Sequence, residues 1–254
     1  MPDETRPAFP LYPDISAFGD LRTALQTTFD DAGQSWHVQL PASPGWAHTG
    51  AELHAVDRSV IVLMARDERA LLIMCSMRHV QIARGNTTEL RAAADAVSLF
   101  LAGAPLRQFG KACPFIRFSS FAEAYEHSEA DAIEHRWRQY LDTASPHPRR
   151  VNELHDFLAA AAHVPQLRAL FPFTSHLDLG FRRSVTHRHG PALAWVRPFG
   201  NGTYLVAGTD RRQLYTPGPD PRTLWNEKPT PGAKGPATAQ DAVALMLAAL
   251  DQPT

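Results

Sequence analysis

The chain has 254 residues, of which 44% are hydrophobic and 20% are charged, as is usual for a soluble globular protein with one large domain or two small ones. Its formal charge of −1 and pI near 6.9 argue against a general nucleic-acid-binding protein. No run of about 18 apolar residues is present, and residues 1–5 lack the basic start of a secretory signal. We therefore expect a cytoplasmic protein that binds neither nucleic acid nor membranes, with Cys75 and Cys113 as free thiols.

The first part of the chain predicts an extended lead, a helix and a group of strands. Four prolines within residues 1–14 predict the extended lead, and apolar residues at helical spacing predict a helix over 15–32. Three strands are predicted after it, at 60–65, 71–75 and 79–83. The first of these strands is a continuous apolar run, so we expect it to be buried on both faces.

Two helices are predicted next. Asn86 with Glu89 three residues later forms a capping-box pattern, which predicts a helix whose apolar stripe begins at Leu90. After a short strand at 115–118, a long helix is predicted over 121–141. The prolines that follow it indicate a linker, so we divide the chain into a module of residues 1–145 and a module of residues 146–254.

The second module is predicted to contain a helix, a strand, a hairpin, a long loop and a final helix. The helix is predicted over 152–163. Residues 177–181 alternate apolar with polar or small side chains, which predicts a strand buried on one face. A hairpin is predicted from 192–197 and 203–207, and six prolines and three glycines within 216–237 predict the loop. Thr238 is predicted to cap the last helix.

These elements predict an α+β fold. Several strands adjoin through short turns, so the two modules should contain mainly antiparallel sheets, each followed by an amphipathic helix and joined by the long helix. The similar order of elements favours an internal duplication as one interpretation. The opposing observation is that no residue pattern repeats at a fixed period.

Motifs for cofactors and metals are absent from the sequence. It contains no phosphate-binding loop, dinucleotide-binding glycine fingerprint, Gly-x-Ser-x-Gly elbow or His-Glu-x-x-His motif, so we predict no cofactor. His127, Asp131 and His135 share one face of the long predicted helix, but that face lies opposite its apolar stripe and should be solvated. The histidines of 187–189 lie in a predicted turn. We therefore predict no metal site.

One segment, residues 168–176, carries the candidate catalytic and binding residues. Ser175 next to His176 is a candidate nucleophile and base, although adjacent residues on an extended chain point apart and no orienting carboxylate is identifiable. The alternative is a buried turn whose hydroxyl groups bond the backbone. Arg168 and Arg182 flank the segment and would either bind an anionic ligand or form buried ion pairs.

The basic residues are almost all arginine. Only Lys111, Lys228 and Lys234 are lysines among 25 basic residues, and 149–212 contains nine arginines and four acidic residues. Guanidinium groups bind carboxylate or phosphate in a bidentate fork, so this bias favours an anionic ligand. A GC-rich genome would produce the same composition.

The residues around this segment resemble a known family. Residues 167–176 (LRALFPFTSH) followed by 177–181 (LDLGF) resemble the signature of the DUF6193 family of actinobacterial proteins, which are usually labelled as natural-product biosynthesis proteins. Residues 83–87 (ARGNT), 202–206 (GTYLV) and 241–245 (DAVAL) are similar to that family as well. The family has no assigned activity, so the resemblance implies a biological setting and no catalytic residue.

Three functional hypotheses follow. The first is an accessory or binding protein of specialised-metabolite biosynthesis that recognises a small anionic metabolite or peptide. The second is a tailoring enzyme with its site around Ser175 and His176, and the third is a protein-interaction or immunity-type module. The sequence leaves the identity of the ligand and the oligomeric state open.

Overall fold

A computed structural model of the chain describes residues 9–142, 153–175, 178–186, 192–214 and 232–251. The chain divides into two units, Met1–Glu126 and His127–Thr254, called here the first and the second unit. Each unit contains a five-stranded antiparallel sheet, so the predicted α+β class is confirmed. The predicted module boundary at 145/146 lies outside the described residues.

The first unit is an antiparallel meander with helices before it and within its last connection. The sheet has the order β1-β2-β3-β4-β5. Its strands are β1 (Gly50–His54), β2 (Arg58–Met64), β3 (Leu71–Met77), β4 (Val80–Thr87) and β5 (Ile116–Phe118). Its helices are α1 (Pro13–Ser16), α2 (Leu21–Asp31), α3 (Leu90–Leu101), α4 (Leu106–Ala112) and α5 (Ser120–His127), whose last residue belongs to the second unit.

Local capping explains where the first helices begin. Asp20 precedes α2, and its side chain accepts a hydrogen bond from the backbone N–H of Thr23 at 2.7 Å. Gly19 has a φ of 89°, which glycine adopts without strain, and it separates α1 from α2. The single helix predicted over 15–32 is therefore two helices.

The helices of the first unit cover one face of its sheet. α2 contacts β1, α3 contacts β2, β3 and β4, and the two helices contact each other. In β2, Val60 and Val62 are buried toward these helices, whereas Ile61 and Leu63 on the other face are half-exposed. The expectation that this run is buried on both faces is wrong, because helices cover only one of them. Asn86 belongs to β4, and Glu89 takes the cap position of α3.

The second unit also places helices before a five-stranded meander, but it has no α-helix between the described strands, and its last helix follows the final strand. Its sheet has the order β10-β9-β8-β7-β6. The strands are β6 (Phe171–Ser175), β7 (Asp178–Arg182), β8 (Ala194–Gly200), β9 (Thr203–Ala207) and β10 (Lys234–Ala237). The helices are α6 (Glu129–Leu141), α7 (His155–Ala162), α8 (Pro165–Arg168) and α9 (Ala239–Leu250), with a 3₁₀ helix at Arg211–Leu214.

Two predictions about helices meet different outcomes. The helix predicted over 121–141 is divided into α5 and α6, because Ser128 caps α6 by accepting a hydrogen bond from the N–H of Asp131 at 3.0 Å. Thr238 caps α9 as predicted, accepting from the N–H of Asp241 at 3.2 Å.

A loop is predicted over 216–237. Residues 216–231 lie outside the described residues, and the described part of this stretch contains β10.

The sheet of the second unit has side chains packed on both faces. Leu179, Phe181 and Val196 pack with α7 and α9 in the larger core. Trp195 and Leu205 on the other face pack with Leu214 of the 3₁₀ helix. Each residue from Asp178 to Phe181 is consequently buried, and the prediction of a strand with one exposed face is wrong.

Candidate ligand-binding site

The carboxylate of Asp178 lies at the start of β7 with none of its surface exposed, and Asp178 is the one charged residue that is buried among the described residues. Ser175 lies directly across from it on β6. Since Leu179 packs against the helices, Asp178 points to the opposite face of the sheet. A buried carboxylate costs several kcal/mol unless it is paired, so its neighbours decide whether this face is stable.

Two arginines pair with Asp178. The Nε of Arg211 donates to Oδ2 at 2.5 Å, and the Nε of Arg197 lies 3.8 Å from Oδ1. Arg211 also donates from Nη1 to Oγ of Ser175 at 3.1 Å and from Nη2 to its carbonyl oxygen at 2.7 Å. Arg211 is the first residue of the 3₁₀ helix. These bonds therefore attach the 3₁₀ helix to the end of β6 and the start of β7.

Aromatic rings position the arginines of this face. Trp195 and Phe173 pack edge to face with ring centres 5.2 Å apart. The guanidinium carbon of Arg211 lies 5.1 Å from the centre of the Trp195 ring, and that of Arg182 lies 3.8 Å from the centre of the Phe173 ring. Such contacts contribute about 0.5–2 kcal/mol each, depending on how far the cation is desolvated. We call Ser175, Asp178, Trp195, Arg197 and Arg211 the Asp178 cluster.

A cavity of about 800 Å³ lies in the second unit, and none of the five cluster residues lines it. Asp210 and Gln213, which flank Arg211 and Arg212 in the sequence, form part of its wall, so the bonds of Arg211 connect the cluster to that wall. The rest of the lining is mainly small or aliphatic, from Ala192, Leu193, Val206, Ala207, Gly208, Ala249 and Leu250. The volume falls within the ~300–1,000 Å³ of typical small-molecule sites.

Four charged side chains line the cavity. Arg183 and Lys234 are cations, and Asp210 and Asp251 are carboxylates. All four residues are exposed to solvent, so they can exchange water for a ligand at low desolvation cost. The two signs of charge suit a ligand that carries both a carboxylate and an amine, and they suit a polyanion poorly. The arrangement can hold and orient such a ligand.

Of the predicted catalytic pair, Ser175 is described and His176 lies outside the described residues. The Ser175 hydroxyl oxygen accepts a hydrogen bond from Arg211. A guanidinium has no acceptor for a proton, so this contact does not activate Ser175 as a nucleophile. The role of His176 stays a prediction.

The two predicted ligand-binding arginines have different surroundings, and Arg182 lies away from Ser175. Arg182 is opposite Phe171 in the register, four residues along β6 from Ser175 and therefore about 13 Å away. Arg168 donates from Nη2 to both carboxylate oxygens of Glu134, at 2.8 and 2.7 Å, and its guanidinium lies 5.2 Å from the centre of the Trp137 ring. Of the two outcomes open to Arg168, the described contacts are those of an ion pair.

The described residues contain no group of three or more His, Cys, Asp or Glu side chains that could hold a metal ion. His127, Asp131 and His135 are the residues that the sequence places on a solvated helix face. Burial lowers the pKa of His135, and so do the nearby Arg138 and Arg136. The histidines of 187–189 lie outside the described residues.

Sequence reasoning missed Arg183, Lys234, Asp210 and Asp251. The arginine-rich composition of 149–212 was a signal for Arg183, but strand alternation directed attention to its neighbour Arg182. Lys234 lies in a stretch of prolines and glycines that is typical of a loop, and no local pattern indicates that it starts a strand.

A protein-family model matches part of the second unit. The model of DUF6193, a family of unknown function, matches residues 131–223, which include every residue of the Asp178 cluster. No curated protein and no solved structure is detectably similar to the chain. None of the helices within the described ranges combines the length and the hydrophobicity that a membrane span requires.

Proposed function

We propose that this chain, whose residues 131–223 belong to the DUF6193 family, is a non-catalytic binding protein that holds a small anionic metabolite or peptide in the cavity of its second unit. Of these two ligand classes, the mixed charges of the cavity favour a short peptide that carries a free amine in addition to its anionic carboxylate. The setting that the resemblance implies, specialised-metabolite biosynthesis in the cytoplasm, is part of the proposal. The two free, buried cysteines Cys75 and Cys113 support a reducing compartment.

The composition of the cavity carries the proposal. Arg183 and Lys234 would hold the ligand carboxylate, and Asp210 and Asp251 would hold its amine. The aliphatic part of the lining offers space for side chains of the peptide without demanding a particular one. Charged groups that can each find a partner on the ligand give orientation and specificity.

A panel of short peptides tests this function by isothermal titration calorimetry. The panel contains one tripeptide in four forms: unmodified, N-acetylated, C-amidated, and blocked at both ends. We expect the unmodified form to bind and the doubly blocked form not to bind. Arg183→Gln and Lys234→Gln should each weaken binding of the unmodified form about tenfold, the loss of one charge-assisted contact.

Lys111→Gln provides the matched control, because Lys111 is an exposed lysine on α4 of the first unit. It should leave the affinity unchanged. Equal affinity of Arg183→Gln, Lys234→Gln and the wild type for the peptide would refute the assignment of this cavity.

The runner-up is a tailoring enzyme with its site at Ser175 and His176. The observation that favours it is Asp178, a buried carboxylate directly opposite Ser175 in the register, which the sequence did not indicate as a neighbour. A serine-reactive phosphonate probe separates the two functions. Labelling of Ser175, abolished in Ser175→Ala, would support the enzyme and contradict the binding protein.

A further inference from the structure

The face of the first unit's sheet that no described helix covers carries apolar side chains at its centre. The register places Ile61 beside Met74, and Leu63 beside Leu72, on the central strands β2 and β3. Leu72 is 37% exposed, and the other three are half-exposed. An antiparallel sheet with one face toward solvent usually alternates to polar residues there. Four adjoining apolar side chains on that face are typical of an interaction surface.

Charged residues extend this surface in one row across the sheet. Successive strand pairings place Glu52 next to Ile61, Met74 next to Arg84, and Arg84 next to Arg117. Directly paired residues point to the same face. The row therefore runs from Glu52 on β1, whose side chain is 17% exposed and lies 3.1 Å from Nε2 of His54, through two apolar residues to two exposed arginines on β4 and β5.

This row is complementary to itself. A two-fold axis that lies above the face and runs parallel to the strands between β2 and β3 places the β1 side of one copy over the β4 side of the other. Under that operation Ile61 faces Met74, Leu63 faces Leu72, and Glu52 faces Arg84 of the second copy. An axis perpendicular to the strands that runs along this row would instead place Glu52 over Glu52, which is repulsive.

We propose that two copies of this chain associate through the open face of β1–β5, related by a two-fold axis parallel to β2 and β3. The interface is isologous, so each Glu52–Arg84 contact occurs twice. The segment containing Pro41 and Trp46 borders the face at Gly50, on the β1 side. The two-fold operation places this segment beside β4 of the second copy, at a level along the strands that β5 does not reach, since β5 pairs only with residues 83–85.

The size of the face sets the expected affinity. Five strands spaced ~4.8 Å apart, which average six residues in length at ~3.4 Å per residue, give an area of roughly 500 Å². This is below the ~800 Å² per partner of a standard interface. We therefore expect a reversible dimer with a Kd of about 1–10 μM, so that monomer and dimer are both present at micromolar protein concentrations.

Exchanging the charges of Glu52 and Arg84 tests the proposal. Sedimentation velocity over a range of protein concentrations measures the dissociation constant of the dimer for each variant. Arg84→Glu and Glu52→Lys should each weaken the dimer about 100-fold, because each creates two symmetric like-charge contacts that cost about tenfold apiece. The double variant Glu52→Lys/Arg84→Glu should return to within about threefold of the wild type. Glu52 and Arg84 lie three strands apart, about 14 Å, so the recovery cannot come from a pair within one chain.

Two more variants complete the experiment. Leu72→Lys alters the apolar centre at an exposed position and should give a folded monomer, as judged by circular dichroism. Arg22→Glu, on α2 at the other face of the sheet, should dimerise like the wild type. A wild type that stays monomeric overturns the proposal in favour of another occupant of the face. Failure of the double variant to recover overturns the two-fold arrangement on which the proposal stands.

Discussion

Replacing Asp178 with Asn removes the negative charge that two arginines share inside the second unit. The side chain keeps its size, so the change leaves no cavity. Arg211 loses its 2.5 Å contact with Oδ2 as an ion pair, and Arg197 loses its 3.8 Å contact with Oδ1. The loss of folding free energy comes from the two arginine side chains, which stay partly buried without a negatively charged partner.

The structure sets the size of this cost. Breaking a buried ion pair by removing one partner costs about 3–5 kcal/mol. The side chains of Arg211 and Arg197 are 25% and 14% exposed, so both keep some hydration, and Arg211 keeps its bonds to Ser175. We therefore expect a loss of about 3 kcal/mol in the free energy of unfolding of the second unit, at the lower end of that range.

Urea unfolding of the full chain measures this loss, with circular dichroism as the probe. Glu134→Gln is the control in the same unit, because Glu134 pairs with Arg168 but is 46% exposed and should cost less than about 1 kcal/mol. If Asp178→Asn cost no more than Glu134→Gln, the reasoning that the buried carboxylate stabilises this face would be refuted.

Three further changes give smaller effects. Tyr12→Phe removes a buried hydroxyl that accepts from the N–H of Ala70 at 3.0 Å, and we expect it to cost about 1–2 kcal/mol in urea unfolding; no change would contradict a structural role for this hydroxyl. His79→Gly should raise stability by about 0.5–1 kcal/mol, because His79 has a φ of 66° in a two-residue hairpin turn, whereas His79→Ala should give no gain. Burial raises the pKa of the Cys75 thiol to about 12, and it also raises that of Cys113, so at pH 8 neither thiol should react rapidly with Ellman's reagent until urea unfolds the chain. Rapid labelling of native protein would show that one of these thiols is exposed.

Patterns that depend on near neighbours were predictable from the sequence. Alternation and turn residues gave a correct outline of strands β2 to β4 and of the hairpin formed by β8 and β9. Thr238 was predictable as a cap because its partner is three residues away. The α+β class follows from such local elements, because short turns between strands favour antiparallel pairing.

Features that depend on distant partners were not predictable. Asp178 belongs to a strand whose alternating sequence predicts one buried and one exposed face. Its carboxylate is buried because it pairs with Arg211, which lies 33 residues later in the chain. The run that contains Ile61 and Leu63 indicates two-sided burial, but whether a second layer covers the outer face is a property of the whole unit. The candidate cavity combines residues from five separate segments, and no spacing in the sequence connects Arg183 with Lys234.

The polar attachment of the 3₁₀ helix through Arg211 has a consequence for motion. Arg211 joins this helix to both Ser175 and Asp178, and the buried side chain of Leu214 adds an apolar contact, so these two side chains set much of the free energy of a local opening of the segment. Backbone amides of residues 211–214 should therefore exchange with deuterium faster than those of β8. A molecule bound against Asp210 and Gln213 would slow this exchange by mass action, so occupancy of the cavity can be followed as amide protection.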